Sequence, residues 1–253
     1  MATIFCFSST GNSLYAANKI AGTIGGEVLP MNDGNSSCES DVVGLVFPVY
    51  FWGLPRMVER FLKELELTNK NAYVFAVITC GGSCFGVLGA VKNLLRSKSI
   101  QLNYGKMLIS PSNYLPEFVA KDSEESRQKI DENISIISNA VKNRESNRIP
   151  ATTILNKIIY TTFPNENSDR YFTVSSSCTG CGTCAKVCPA KNISIEDSRP
   201  VFHHKCEHCL GCLHNCPAQA IDWKNRTKNK PRFRNAGVTL DELISFESHK
   251  SEF

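Results

Sequence analysis

Over its first 150 residues the chain alternates two patterns of apolar positions. Unbroken apolar runs occur at 2–7 (ATIFCF), 42–47 (VVGLVF) and 73–79 (YVFAVIT). Continuous rather than every-second apolarity predicts strands covered on both faces, as in a parallel sheet. One more strand is predicted at 106–110. Between these runs the period becomes helical, at 14–21, at about 55–66 and at about 85–97. A more polar helix is predicted from Asp122 to about Arg144, where Ile130, Ile134, Ile137 and Val141 are spaced 4, 3 and 4 and share one face. Strands alternating with helices give βαβ units and a doubly wound sheet. The pattern stops near Pro150. Residues 151–163 read as one more amphipathic segment, with Ile154, Leu155, Ile158 and Ile159, and 164–169 as a linker.

Length and composition agree with two units. The 253 residues are 42% hydrophobic and 21% charged, which excludes a disordered or fibrous chain. No apolar run approaches the length needed to span a bilayer. The start of the chain lacks a basic segment and a small-residue cleavage site, so no secretory signal is expected. The net charge is +4, and residues 1–150 carry 15 Lys+Arg against 14 Asp+Glu. Neither part is basic enough to suggest a nucleic-acid binder.

Cysteine changes the picture. Of 12 cysteines, eight fall between 178 and 216. They form two repeats about 28 residues apart: Cys178-x2-Cys181-x2-Cys184-x3-Cys188-Pro189 and Cys206-x2-Cys209-x2-Cys212-x3-Cys216-Pro217. In an intracellular chain such a cluster argues for metal before disulfide. Zinc favours two isolated C-x2-C pairs and does not account for the C-P endings. The repeats resemble the bacterial-type ferredoxin pattern for two 4Fe–4S clusters, over about residues 173–223. The tight spacing lets three thiolates of one loop reach one cubane, and in that pattern the fourth cysteine serves the other cluster. The resemblance therefore implies one cluster on Cys178, Cys181, Cys184 and Cys216, and another on Cys206, Cys209, Cys212 and Cys188. Gly180, Gly182 and Gly211 would let backbone N–H groups turn toward the sulfurs, and Ile193 and Ile221 would cover the clusters. With ligands already supplied, His203, His204, His208 and His214 are expected at the surface.

The turn after the first strand is the second candidate. Ser8, Ser9, Thr10, Gly11, Asn12 and Ser13 lie between a strand and a helix. Such a turn aims hydroxyls and backbone N–H groups at one point beside the positive end of the helix, which suits a phosphate. The alternative reading of the same residues is a Ser-capped helix start after a turn. Neither a G-x-x-x-x-G-K-[ST] loop nor a G-x-G-x-x-G turn is present, which disfavours ATP and dinucleotides. Ser8, Thr10, Asn12 and Ser13 resemble the FMN phosphate loop of flavodoxins, and the resemblance implies strand order 2-1-3-4-5 with the flavin at the switch point. Further flavin loops should then follow the later strands. Pro48, Tyr50, Phe51, Trp52 and Gly53 put three adjacent aromatics in a Pro- and Gly-flanked turn, suited to a flat ring. Thr79, Cys80, Gly81 and Gly82 form a turn whose backbone can approach a ring edge. Asn113 and Tyr114, in the loop 111–116, resemble the Asn-Tyr segment of fused flavodoxin domains. Cys80 and Cys84 read first as two small buried residues, though their spacing also admits a redox-active thiol pair.

In the tail, Lys224, Arg226, Lys228, Lys230, Arg232 and Arg234 occupy every second position. An extended segment would put them on one side, for docking on a partner or on the first domain, or as a solvated face.

The expected fold is a flavodoxin-like doubly wound α/β parallel sheet (1–150), a linker (151–172), a small α+β two-cluster ferredoxin domain (173–223) and a basic tail (224–253). The whole chain resembles flavodoxin–ferredoxin fusions of anaerobic bacteria and archaea. That resemblance implies cytoplasmic electron transfer between FMN and two 4Fe–4S clusters, to or from a redox partner protein or a small-molecule acceptor, with a homodimer compatible. The alternative is a flavin-dependent reductase of a small organic substrate fed by the clusters. For a relay the ferredoxin unit is expected to dock at the C-terminal edge of the sheet, either within one chain or across a dimer.

Overall fold

A computed structural model describes residues 1–32, 36–82, 86–150 and 166–249. In chain order the N-terminal part runs β1 (Ala2–Cys6), α1 (Asn12–Ile24), β2 (Gly26–Pro30), β3 (Ser37–Cys38), β4 (Val42–Pro48), α2 (Arg56–Glu64), β5 (Glu66–Leu67), β6 (Tyr73–Cys80), α3 (Val87–Ser97), β7 (Leu102–Ile109) and α4 (Glu124–Lys142). The central sheet has the order β2-β1-β4-β6-β7, and every pairing is parallel. Counted alone, its five strands stand 2-1-3-4-5, the flavodoxin-like order, with the chain reversing direction across the sheet between β1 and β4. Short β3 and β5 pair in parallel outside this sheet.

Side chains alternate across each strand, and both sides are covered. Phe5, Phe7, Leu45 and Phe47 pack with Met57, Phe61, Val91 and Leu95 of α2 and α3. Ile4, Cys6 and Val46 pack with Leu14, Ala17 and Ile20 of α1 and with Ile130, Ile134, Ile137 and Val141 of α4. This two-sided burial is why the strands read as continuous apolar runs. Helix ends follow local chemistry. Ser123 caps α4 by accepting from the Ser126 N–H. Gly25 ends α1 in a left-handed conformation and returns its N–H to the Ala21 carbonyl.

The C-terminal part contains a 3-10 helix (Glu166–Tyr171), β8 (Phe172–Val174), α5 (Thr183–Lys186), β9 (Ile193–Glu196), β10 (Arg199–Phe202), α6 (Gly211–His214), β11 (Ile221–Trp223) and α7 (Leu240–Ser248). β9 pairs antiparallel with β10, and β8 with β11. Helix α7 opens with a capping box between Thr239 and Glu242. Its Leu243 and Phe246 join Val238 and Val187 on the α1/α4 side of the sheet.

Three expectations need correction. The 164–169 linker is in its described part the start of the 3-10 helix, where buried Asp169 accepts from His204 and Asn192. The first part of the basic tail is not extended: Lys224, Asn225 and Asn229 take positive φ in turns over 224–229, which breaks the two-residue period there. The last strand begins at Leu102 rather than 106. The amphipathic stretch 151–163 and Cys84 lie outside the described residues. No helix among the described residues is long and apolar enough to cross a membrane.

Candidate functional site

The loops that leave the C-terminal ends of β1, β4, β6 and β7 converge on a cavity of about 550 Å³. Its walls include Ser8, Ser9, Thr10, Asn12 and Ser13 from the first loop, and Pro48, Tyr50, Phe51 and Trp52 from the second. Thr79, Cys80, Gly81 and Gly82 come from the third, and Asn113 and Tyr114 from the fourth. Of the residues expected at the flavin, Gly11 and Gly53 do not line it. Gly11 (φ 91) sits under the tail, where an added Cβ would meet Val238 at 3.1 Å and Asn235 at 3.2 Å. Gly53 closes the aromatic turn, exchanging backbone hydrogen bonds with Tyr50.

The first loop has the make-up of an anion site. Ser8, Ser9, Thr10 and Ser13 are each at most 2% exposed, and no side chain caps α1, so its first-turn N–H groups remain for a ligand. The Thr10 hydroxyl accepts from Asn113 Nδ2 at 2.9 Å, which leaves its own proton to donate. Ser13 and Thr79 share a hydrogen bond of 2.8 Å. The aromatic turn is strained: Phe51 and Trp52 both hold positive φ, at 47° and 59°, an arrangement costly for bulky residues. It presents Phe51 edge-on to Tyr114, with centroids 5.2 Å apart, and leaves Trp52 half exposed.

The remaining wall comes from the second cysteine loop: His208, Cys209 and Leu210. That loop is fastened to the sheet edge. Ser9 donates to the Cys209 carbonyl at 3.0 Å, and Asn215 Nδ2 to the Ser9 carbonyl at 3.1 Å. His214 bridges three segments: its Nδ1 accepts from the Phe233 N–H at 3.0 Å, which puts a proton on Nε2 for the Asn113 carbonyl at 2.7 Å. Glu207, 2% exposed, accepts from the Met57 N–H and from Arg60, at 3.2 and 3.1 Å, while Arg56 donates to the Cys206 carbonyl. The tail closes the joint. Lys230 donates to the Leu115 and Pro116 carbonyls, and Asn235 bonds the Thr10 carbonyl and the Asn12 side chain. His208 and His214, expected at the surface, are therefore buried in this joint. Ser110, Glu117, Phe118, His208 and Leu210 also line the cavity without having been expected there. The first three follow from where β7 ends. The last two had no local signal, because only docking brings them near.

The eight cysteines fall into two sets. Cys178, Cys181, Cys184 and Cys216 line one hollow, with Ile221 and Ile195. Cys188, Cys206, Cys209 and Cys212 line another, with Ile193. Each hollow thus takes three cysteines from one repeat and the fourth from the other. Backbone N–H groups of Asn192, His208 and Ala220 donate to the sulfurs of Cys188, Cys206 and Cys216 at 3.2–3.3 Å. Among the described residues no three His, Cys, Asp or Glu converge on a single ion. Burial pushes the Cys209 and Cys212 thiols well above their ordinary range. Cys181, by contrast, is exposed and held low by the Thr183 hydroxyl. One hollow faces outward and the other faces the cavity.

Comparison with known proteins bears on both halves. Residues 177–221 match the family model described as "4Fe-4S dicluster domain". The archaeal-type glutamate synthase [NADPH] of Thermotoga maritima is 28% identical over 75 residues, covering 28% of this chain and 15% of that protein. The NADH-quinone oxidoreductase subunit I of Pelobacter propionicus is 34% identical over 86 residues, covering 28% of this chain and 46% of that one. The chain thus spans less than half the length of these curated relatives. Among solved structures, Megasphaera elsdenii flavodoxin aligns with TM-score 0.34 and 19% identity, over 42% of this chain and 85% of that one. An FMN-dependent NADH-azoreductase of Bacillus anthracis aligns with TM-score 0.41 and 6% identity, over 56% and 99%. The N-terminal part thus has the parallel 2-1-3-4-5 order of the flavodoxin-like fold, and the cysteine module after it matches a 4Fe–4S dicluster domain.

Proposed function

We propose that this chain relays electrons between an external redox partner and FMN through two 4Fe–4S clusters. Residues 1–150 hold the flavin, 173–223 the clusters, and 224–253 clamp the two units. The observation that carries the reading is the shared wall: Cys209, a cluster ligand on this reading, lines the same cavity as the phosphate-type loop and the aromatic turn. Electron transfer falls steeply with distance, so a common wall is the arrangement a relay needs. When bound, flavin supplies one- or two-electron chemistry and each cluster one-electron steps.

The residues divide the work. Ser8–Ser13 and the first turn of α1 hold the phosphate. Tyr50, Phe51, Trp52 and Tyr114 give the ring an apolar seat. Gly81 and Gly82 bring backbone close to its edge. Cys188, Cys206, Cys209 and Cys212 hold the inner cluster, while Cys178, Cys181, Cys184 and Cys216 hold the outer one. The exposure of Cys181 supports the outer cluster as the one a partner protein would meet. Thiolate and cluster chemistry of this kind favours a reducing, cytoplasmic setting. A second reading, a reductase of a small organic substrate, draws support from the cavity rim, where Trp52 and Phe118 are 49% and 55% exposed.

Protein purified without oxygen should carry one FMN, eight irons and eight sulfides. About four irons, or bound zinc, would contradict the two-cluster reading. Rapid flavin re-oxidation by a small organic acceptor, but not by a ferredoxin-type protein, would move the assignment to the reductase.

A further inference from the structure

We propose that His208, carried by the ferredoxin module, is a binding residue for the flavin ring, its Nε2 forming a hydrogen bond to a polar edge atom of that ring. The inference rests on the FMN reading and adds a contact made across the domain joint.

Three independent observations meet at this side chain. First, His208 is 3% exposed, lines the cavity, and its Nε2 has no hydrogen-bond partner among the described residues. A buried imidazole nitrogen is rarely left unpaired, so a polar atom of whatever fills the cavity is its natural partner. Second, the other nitrogen and the ring plane are fixed. Nδ1 lies 3.3 Å from the Ser168 hydroxyl, and the ring stands edge-on to Trp223 with centroids 5.0 Å apart. Because a serine hydroxyl can donate or accept, Nε2 can serve as donor or acceptor. The ring lies 5.9 Å from both Phe51 and Tyr114, at the aromatic end of the cavity.

Third, the two cysteine repeats differ at this point. The first loop has Gly180 and Gly182, at φ 68° and 74°; 28 residues later stand His208 and Leu210, at φ 53° and 59°. The backbone conformation is the same, and glycine adopts it freely, whereas a residue with a Cβ does not. The second loop thus carries side chains where the first has none, and both reach the cavity wall. A strained position of this sort points to function.

The test compares FMN and riboflavin binding to protein freed of flavin but retaining its iron. His208→Phe removes the hydrogen bond and keeps a flat ring. Its dissociation constants for FMN and riboflavin should rise by the same factor, about three- to tenfold, with iron unchanged. His208→Gln, which keeps a polar atom, should recover most of the loss. Thr10→Ala should weaken FMN alone. Equal affinity of parent and His208→Phe for both ligands overturns the contact; no flavin binding by the parent overturns the cofactor reading and the contact with it. Should His208→Phe lose iron, infrared spectra of the parent labelled with ring-13C histidine decide instead. FMN addition must shift an imidazole band, and unshifted bands overturn the contact. Among the described residues no other histidine lines this cavity.

Discussion

Thr10 is a buried hydroxyl with a proton left to give. Its hydroxyl accepts from Asn113 and keeps a proton to give, in a spot 2% exposed. A hydrogen bond to a charged group contributes roughly 1.5–3 kcal/mol. Thr10→Ala should therefore weaken FMN about tenfold or more while leaving riboflavin nearly unaffected, read by flavin fluorescence quenching. Equal weakening of both would remove this loop from the phosphate. Such residues were legible in the sequence because strand, hydroxyl-rich turn and helix lie within thirteen consecutive residues. His208 and His214 were not. Their neighbours Glu207 and Asn215 are polar, so nothing local announces that a second domain will cover them.

Glu247 is a second single-residue case. It is 6% exposed on α7, and burial pushes its carboxyl up to about 8, against the opposing pull of Lys191. Between the ordinary carboxylate range and about pH 8 the unfolded chain has lost this proton while the folded chain keeps it. Stability should fall as pH rises through that window. Urea midpoints of the iron-loaded protein at pH 5 and pH 8 should differ less in Glu247→Gln than in the parent; an identical difference in the two proteins would show that Glu247 does not set the slope.

Among the elements, α1, α2, α3 and α4 and the three innermost strands were legible because each carries one uninterrupted period. β2 was not delineated, since only Val28 and Leu29 stand between Gly26, Glu27 and Pro30. β3 and β5 are two residues each and carry no period. The tail misled for a different reason. Its alternating bases are used singly: Lys224 over the Tyr171 and Trp223 rings, Arg226 beside Glu117, Lys230 on two carbonyls, and Arg232 on the Ile221 carbonyl. The cysteine loops were the most legible elements, because ligand spacing is a local constraint. Their separation into two hollows predicts independence. Cys181→Ser should reduce the iron of the outer site while the protein still binds FMN and keeps about four irons. Loss of flavin together with iron would show that the two halves do not fold separately.

The molecule assembles its cavity from loops on four strands and one loop of the other domain, which no stretch of sequence could display by itself. Sequence gave the reason to expect docking at that sheet edge, since a relay with distant centres would not work. It did not identify the fasteners, namely Ser9 to Cys209, His214 to Asn113, and Glu207 to Met57 and Arg60. These contacts hold the second cysteine loop, and with it the inner hollow, against the sheet edge that carries the aromatic turn. If the chain is the relay proposed above, the docked arrangement predicts that electrons cross within one chain rather than by collision between chains. The most direct measurement is anaerobic flash reduction of the fully loaded protein, following cluster and flavin absorbance over a range of protein concentrations. The account predicts electron exchange between clusters and flavin with a first-order rate constant that does not change with concentration. A rate proportional to protein concentration, or clusters and flavin that never exchange electrons, would contradict it.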